Sequence, residues 1–376
     1  MSRLHLFNPE NDMALGYGRG SFTLSPMVDA LRIDGASLPI WYASEGDWIY
    51  DARADENRPW YDRISELFKL DVNVSDRVPE GMYGAPWGWS HEVCGRFAKL
   101  GVRVPSPDTI DKIRMLSHRR LTSEVMTYLY RRLPSMRLPS MPVEAMSVNE
   151  VRNQHNRYGS IYVKAPWSSS GRGVFKVDGW SDKLQPRLEN IIRRQGSVMC
   201  EPSIDKKLDF AMEFYSDGKT VKWIAYSLFF NEHGASYSGN ILAPDSEIEA
   251  VLMKAGADLA DLGKIKSVLE EYFTDVAAPY YIGYFGVDMM LAEDGMIVPC
   301  VEVNLRMTMG VVAAMFCNRF LHPSSRGKYY VAPLAKMPGE ETAVVEDGKL
   351  LCGRMNLVPT SGNSRFAFIV EAESES

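Results

Sequence analysis

The run Val301-Glu302-Val303-Asn304-Leu305-Arg306 constrains this chain more than any other segment. Apolar and polar residues alternate along it. Successive side chains of a β-strand point to opposite faces, so Glu302, Asn304 and Arg306 share one face while the apolar residues take the other. An acid inside a second apolar run, Gly286-Val287-Asp288-Met289-Met290, reads as another strand of the same kind. Both strands require a sheet that is buried on one side and polar on the other. If they are neighbours, Asp288, Glu302 and Asn304 converge as three hard oxygen donors. That is the set Mg²⁺ prefers when it bridges nucleotide phosphates, and Arg306 would face the same phosphates as a charge stabiliser. A solvated sheet face carries the same composition.

The rest of the chain alternates in a way that fits an α/β class. In the first hundred residues, residues 4–7 and 38–42 read as strands and residues 90–100 as a helix. Strand, helix and loop in alternation predict an α/β layer. Pro105, Ser106 and Pro107 punctuate the chain and place a first boundary there, with Asp108 or Thr109 as the cap of the next helix. Residues 110–132 have a basic, helical pattern, and a Pro/Met/Ser connector follows over 133–142. Strands are expected at 160–164, 173–177 and 197–201, with an amphipathic helix at 184–194 between the last two. Further strands are expected at 210–215, 220–230, 286–292 and 297–304, and one long helix at about 246–273. The acidic tail from Glu371 to Ser376 reads as frayed.

Composition narrows the function. A chain of 376 residues with 45% hydrophobic and 24% charged residues has an ordinary globular balance, long enough for two or three domains. Its 42 basic and 48 acidic residues give a formal net charge of −6, which does not favour nucleic-acid binding through a basic face. No apolar run is long enough to span a membrane, and the start reaches acidic residues before an apolar signal segment can form. The five cysteines are scattered without a CxxC pair, which disfavours a zinc site or a disulfide framework and fits a reducing compartment. A cytoplasmic protein is expected.

Three motif matches fail on inspection. Gly16-Tyr17-Gly18-Arg19-Gly20 continues with Ser21 where a dinucleotide fingerprint needs its third glycine. Gly88-Trp89-Ser90-His91-Glu92 lacks the closing glycine of a nucleophile elbow, and no GxxxxGK[ST] phosphate loop occurs. More informative is Lys164-Ala165-Pro166-Trp167-Ser168-Ser169-Ser170-Gly171-Arg172-Gly173. Its lysine closes one β-run, and small residues then lead into the next. Small residues let backbone N–H groups approach an anion, and the lysine adds a fixed positive charge beside it. An ordinary hairpin with a polar tip has the same composition.

The order of these segments is what gives them weight. A lysine with a Gly-rich loop, then a strand ending in an acid, then a paired acid and Glu-x-Asn resembles the ATP-grasp superfamily over about residues 110–310. The resemblance implies an ATP-grasp fold of class α/β (α+β). Two α+β subdomains (residues 106–200 and 201–376) would clamp ATP, preceded by an N-terminal α/β domain over residues 1–105. It implies that Ile113-Arg114-Met115-Leu116-Ser117-His118-Arg119 matches a helix ending in a phosphate-contacting lysine, here replaced by Arg119. Lys164 matches the second phosphate lysine. Ser168, Ser169, Ser170, Gly171, Arg172 and Gly173 match the loop over the β- and γ-phosphates. Glu201, Pro202 and Ile204 resemble the adenine hinge, and Asp209 lies near the ribose-binding acid. Asp288, Glu302 and Asn304 match the magnesium ligands, and Arg306 the arginine of the E-x-N-x-R form.

The activity implied is that of an ATP- and Mg²⁺-dependent ligase using two metal ions, with Mn²⁺ as an expected substitute. It would activate a small-molecule carboxylate as an acylphosphate for attack by an amine or thiol, with Arg306 and Lys164 in the catalytic roles. Asn8, Glu10, Asn11, Asp12 and the segment Tyr237-Ser238-Gly239-Asn240 are candidates for the acceptor pocket; turns and loops explain them equally well. A kinase acting on a small alcohol and an inactive nucleotide-binding module remain open beside the ligase. So does a homodimer, with no nucleic-acid or membrane partner expected.

Overall fold

The structure, a computed structural model, describes residues 2–374 apart from 20–21, 169–172, 182, 231–237 and 338. Its first sheet is parallel, with strands β1 (Arg3–Leu6), β2 (Trp48–Tyr50), β3 (Asn73–Ser75) and β4 (Tyr83–Pro86) in the order β3-β2-β1-β4. Leu4 and Leu6 pack with Val93 and Phe97 of the helix His91–Lys99, which turns Arg3 and His5 to the opposite face. Residues 38–42 do not form the expected strand. Leu38–Trp41 is a 3₁₀ turn, because Pro39 has no N–H for a ladder and the run does not alternate. All four of its residues are buried, and Trp41 donates to the Leu357 carbonyl at 2.6 Å.

The second sheet is antiparallel and has its own small core. It comprises β5 (Val143–Ala145), β6 (Ile161–Lys164), β7 (Val174–Val177) and β8 (Val198–Pro202) in the order β5-β8-β6-β7. The basic region at 110–132 is two helices, Pro107–Leu116 and Arg120–Arg132. Ser106, rather than Asp108 or Thr109, caps the first. In the break between them the Arg119 N–H donates to Pro166 O at 3.1 Å, which ties that arginine to the end of β6.

The third sheet has nine strands, and every pairing in it is antiparallel. Its strands are β9 (Lys206–Asp217), β10 (Val221–Phe230), β11 (Gly239–Leu242), β12 (Ile282–Ala292), β13 (Ile297–Asn304), β14 (Ser325–Pro333), β15 (Val344–Glu346), β16 (Lys349–Asn356) and β17 (Phe366–Ser374). They run in the order β13-β12-β9-β10-β11-β14-β17-β16-β15. The long helix expected at 246–273 is broken into Asp245–Ala255 and Leu259–Val276. Gly256 at φ 110° ends the first, and the Asp258 carboxylate caps the second by accepting from Ala260 N–H at 2.8 Å. The acidic tail is not frayed through residue 374, since Ser374 pairs with Ser325 and β17 is central to its half of the sheet.

The apolar helix Met309–Phe320 lies against β10, β11 and β12. Its Gly310 and the β12 residue Gly286 both meet the Glu213 carboxylate so closely that a Cβ at either place would overlap it. Gly310→Ala is therefore expected to lower stability by about 3 kcal/mol or more. Urea unfolding of that variant checks this, and an unchanged midpoint would show that the helix can slide to make room.

Candidate active site

Strand register builds the site. Asp288 on β12 stands opposite Glu302 on β13, and Gly286 opposite Asn304. On the other side of β12, Ala211 and Glu213 of β9 pair with Asp288 and Gly286. Residues directly opposite share a face, so Asp209, Glu213, Asp288, Glu302 and Asn304 all point the same way. The alternate residues Phe210, Met212, Phe214, Phe285, Val287 and Met289 fill the core on the reverse side with the helix Leu259–Val276. Asn304 Nδ2 donates to Asp288 Oδ2 at 3.0 Å. Burial, and next the charge of Glu302, push the Asp288 carboxyl up to about 7.

The expected cations lie around this face, each in contact with an anion. Arg306 donates through Nε to both Asp12 oxygens at 3.1 and 2.9 Å and through Nη2 to Asn304 Oδ1 at 2.9 Å. Arg119, 6% exposed, donates to Glu302 Oε1 at 2.7 Å, to Ala165 O at 2.6 Å and to Ser168 Oγ at 2.5 Å. Lys164 Nζ lies 2.6 Å from Glu201 Oε2 and donates to Val301 O at 3.2 Å. Lys164, Glu201, Arg119, Ser168, Glu302, Asp288, Asn304, Arg306 and Asp12 thus form a polar cluster that joins the second and third sheets to the helix Asn11–Tyr17 behind the first. Four acids and three basic side chains in it face one another over residues far apart in sequence.

Other expected residues are placed differently. Gly173 O accepts from Ala165 N–H at 2.8 Å, which closes the base of the loop whose Ser169, Ser170, Gly171 and Arg172 lie outside the described residues. Pro202 ends β8 opposite Ile161, and Ile204 sits in the link to β9. Asp209 is ion-paired with Lys206, three residues earlier on the same strand. Of the N-terminal candidates, Asp12 joins the cluster through Arg306. Asn8 brackets Gly88, donating to its carbonyl at 2.8 Å, and Glu10 is held by Arg96 at 3.0 Å. Tyr237 lies outside the described residues, while Asn240 is buried and donates to Ser227 Oγ at 2.7 Å.

Glu213 was not among the residues singled out from the sequence. It is 1% exposed, accepts from the Thr308 hydroxyl at 3.0 Å, and is hydrogen-bonded by Ser227. Burial, and next the nearby Asp288, push its carboxyl up to about 8. The alternation Asp209-Phe210-Ala211-Met212-Glu213-Phe214 carries the same period-two signal that revealed β13.

No family model and no curated protein matches this sequence. Solved structures do resemble it in fold. Phosphoribosylamine–glycine ligase from Thermotoga maritima superposes with a TM-score of 0.53 at 13% identity, over 99% of this chain and 92% of that one. A biotin carboxylase–β,γ-ATP complex from Campylobacter jejuni gives 0.52 at 13% identity, over 99% and 88%. N5-carboxyaminoimidazole synthetase from Staphylococcus aureus, complexed with ADP, gives 0.50 at 9% identity, over 100% and 93%. The chain has the ATP-grasp fold. Among the described residues, no helix is long and apolar enough to cross a membrane.

The magnesium that this fold implies can be tested against the donors present. Among the described residues no three His, Cys, Asp or Glu side chains are placed to hold a metal ion, so the set depends on the Asn304 amide as its third oxygen. Two carboxylates held side by side, one of them forced toward its neutral form, suit a divalent cation, which would offset their repulsion. The residues fit the ion.

Proposed function

We propose that this protein is an ATP- and Mg²⁺-dependent ligase that activates a small-molecule carboxylate as an acylphosphate for attack by an amine or thiol. The observation that carries the reading is the cross-strand pair Asp288–Glu302, with Asn304 beside it and Arg119, Lys164 and Arg306 around it. The ATP-grasp fold supports it. So do the ADP and ATP-analogue complexes of structures sharing that fold. Residues 1–105, 106–200 and 201–376 would be the N-terminal domain and the two clamping subdomains, and the cytoplasm the proposed location.

Phosphoryl transfer asks a protein for positioning and charge neutralisation more than covalent chemistry. In this reading Arg119 and Lys164 exchange part of their contact with Glu302 and Glu201 for phosphate oxygens. Arg306, fixed by Asp12, neutralises charge at the reacting end. Bound magnesium would supply further neutralisation between Asp288, Glu302 and the phosphates. The acceptor carboxylate attacks the γ-phosphorus and ADP leaves with the bond it broke. The amine or thiol then attacks the acyl carbon, loses its proton, and inorganic phosphate departs.

Phosphorus NMR of the purified protein with Mg-ATP and a deproteinised metabolite extract tests this. Extract-dependent ADP with matching inorganic phosphate is the expected result. A new phosphoester resonance in place of phosphate would make the protein a kinase, and no consumption in any fraction would favour a binding module.

A further inference from the structure

Between the first sheet and the neighbouring parts of β9 and β12 lies a cavity of about 590 Å³. It is large enough for a ring-bearing small molecule and far larger than a simple amino acid requires. Its lining is distinctive in charge. Arg3, His5 and Arg103 contribute to it, and among the described residues no aspartate, glutamate or lysine does, although the whole chain is acidic. The lining is also aromatic, with six tyrosines and Trp89. Tyr215 and Tyr284 form one wall, with ring centroids 4.7 Å apart. At the exposed end, the Arg103 guanidinium lies over the Tyr83 ring at 5.2 Å.

Arg3 brings to this cavity a donor that has nothing to bind, while the Tyr42 ring lines the wall with its hydroxyl closed off from the space. The Tyr42 hydroxyl belongs to a side chain that is 4% exposed, and it has no hydrogen-bond partner. Arg3 uses its backbone N–H on Asp47 at 2.8 Å, but its guanidinium has no hydrogen bond or ion pair among the described residues. A guanidinium without a protein partner offers donors that an anion accepts, and Arg103 is a second positive charge in the lining. Met307 and Tyr281 also line the cavity, and Tyr281 lies near enough to Arg306 for that charge to act on its phenol, so the cavity borders the cluster described above.

We propose that this cavity is the acceptor subsite, an inference that rests on the ligase reading, and that it takes an aromatic carboxylate. The ring stacks on the Tyr215–Tyr284 wall, and the carboxylate accepts from Arg3. A cationic ligand finds no counter-charge in the lining, and an aliphatic acid leaves the aromatic wall uncovered.

Titration calorimetry with a matched set of probes tests it: indole-3-acetate, its neutral amide, tryptamine and acetate. Indole-3-acetate is expected to bind about tenfold or more tightly than the amide, since hydrogen bonds to a charged acceptor are the stronger ones. Tryptamine and acetate are expected not to bind. Tyr215→Ala, which removes half of the aromatic wall, should weaken indole-3-acetate about tenfold. Arg3→Ala should weaken it similarly. Equal binding of tryptamine or the amide, no binding at all, or unchanged affinity in both variants would overturn the proposal.

Thermal stabilisation by Mg-ATP separates the two failures. If Mg-ATP stabilises the protein but aromatic carboxylates do not bind, this inference falls alone. If the probes bind selectively and Mg-ATP has no effect, the ligase reading falls and takes the acceptor role with it.

Discussion

Glu302→Gln is expected to cut Mg²⁺-dependent ATP turnover by about 10²- to 10³-fold, the size of loss on removing one preorganised electrostatic group, here a negative charge that would hold magnesium against the phosphates. The substitution is chosen for what it preserves. Arg119 is nearly buried and donates to Glu302 Oε1 at 2.7 Å. An alanine would leave that guanidinium with an uncompensated buried charge, at a cost of about 3–5 kcal/mol. Glutamine still offers an oxygen to Arg119, so the cluster keeps its shape and loses only one negative charge beside Asp288. Steady-state ADP release measures the loss, and circular dichroism with thermal melting checks the fold. Mg-ATP should also stabilise the variant much less than the wild type. Equal stabilisation of both proteins would remove Glu302 from the metal set.

The fold was legible where sequence periodicity is local. β13 is expected over 297–304 and is observed as Ile297–Asn304, because an apolar run that passes into alternation from Val301 leaves a strand as the one regular answer. The helix at 90–100 is observed as His91–Lys99 behind a Ser90 cap for a similar reason. What failed depended on contacts distant in sequence. Leu38–Trp41 is apolar enough for a strand, yet Trp41 is needed among Phe68, Phe316 and Phe320, and the proline lets the chain turn to place it there. The acidic tail reads as solvent-exposed until β14 is known to lie beside it.

The site was legible in its residue types more than in its wiring. Alternation alone places Glu302, Asn304 and Arg306 on one face, and Asp288 joins them only because its strand pairs with theirs, Asp288 opposite Glu302. That Asp12 would meet Arg306, 294 positions away, follows from tertiary packing and from no local signal. Glu201 was assigned to an adenine hinge by resemblance, and in the structure its carboxylate is on Lys164. The cavity beside the cluster could not be read at all. Its tyrosines come from separate segments, and only the packing of the first sheet against the third makes them neighbours.

Glu213 is expected to give a large pH effect between pH 4.5 and about 8, and its sign is opposite to that of an ordinary paired carboxylate. Its ordinary value is 4.5, and burial followed by the charge of Asp288 pushes it up to about 8 in the folded state. Between those values the folded protein holds a proton that the unfolded chain has released. Stability therefore falls as pH rises through that window, by about 1.4 kcal/mol per pH unit for this one group and about 4–5 kcal/mol across it. Asp288 acts in the same direction from 3.8 to about 7, with burial first and Glu302 second as causes. Glu213→Gln removes the titration but keeps an oxygen to accept from Thr308, whose hydroxyl now donates to the carboxylate at 3.0 Å. Urea unfolding midpoints at pH 5, 6, 7 and 8 should then fall less steeply for the variant than for the wild type. The variant should be the more stable protein at pH 8. Parallel curves would mean that Glu213 is ionised in the folded state, held so by Thr308 and Ser227 against both its burial and Asp288.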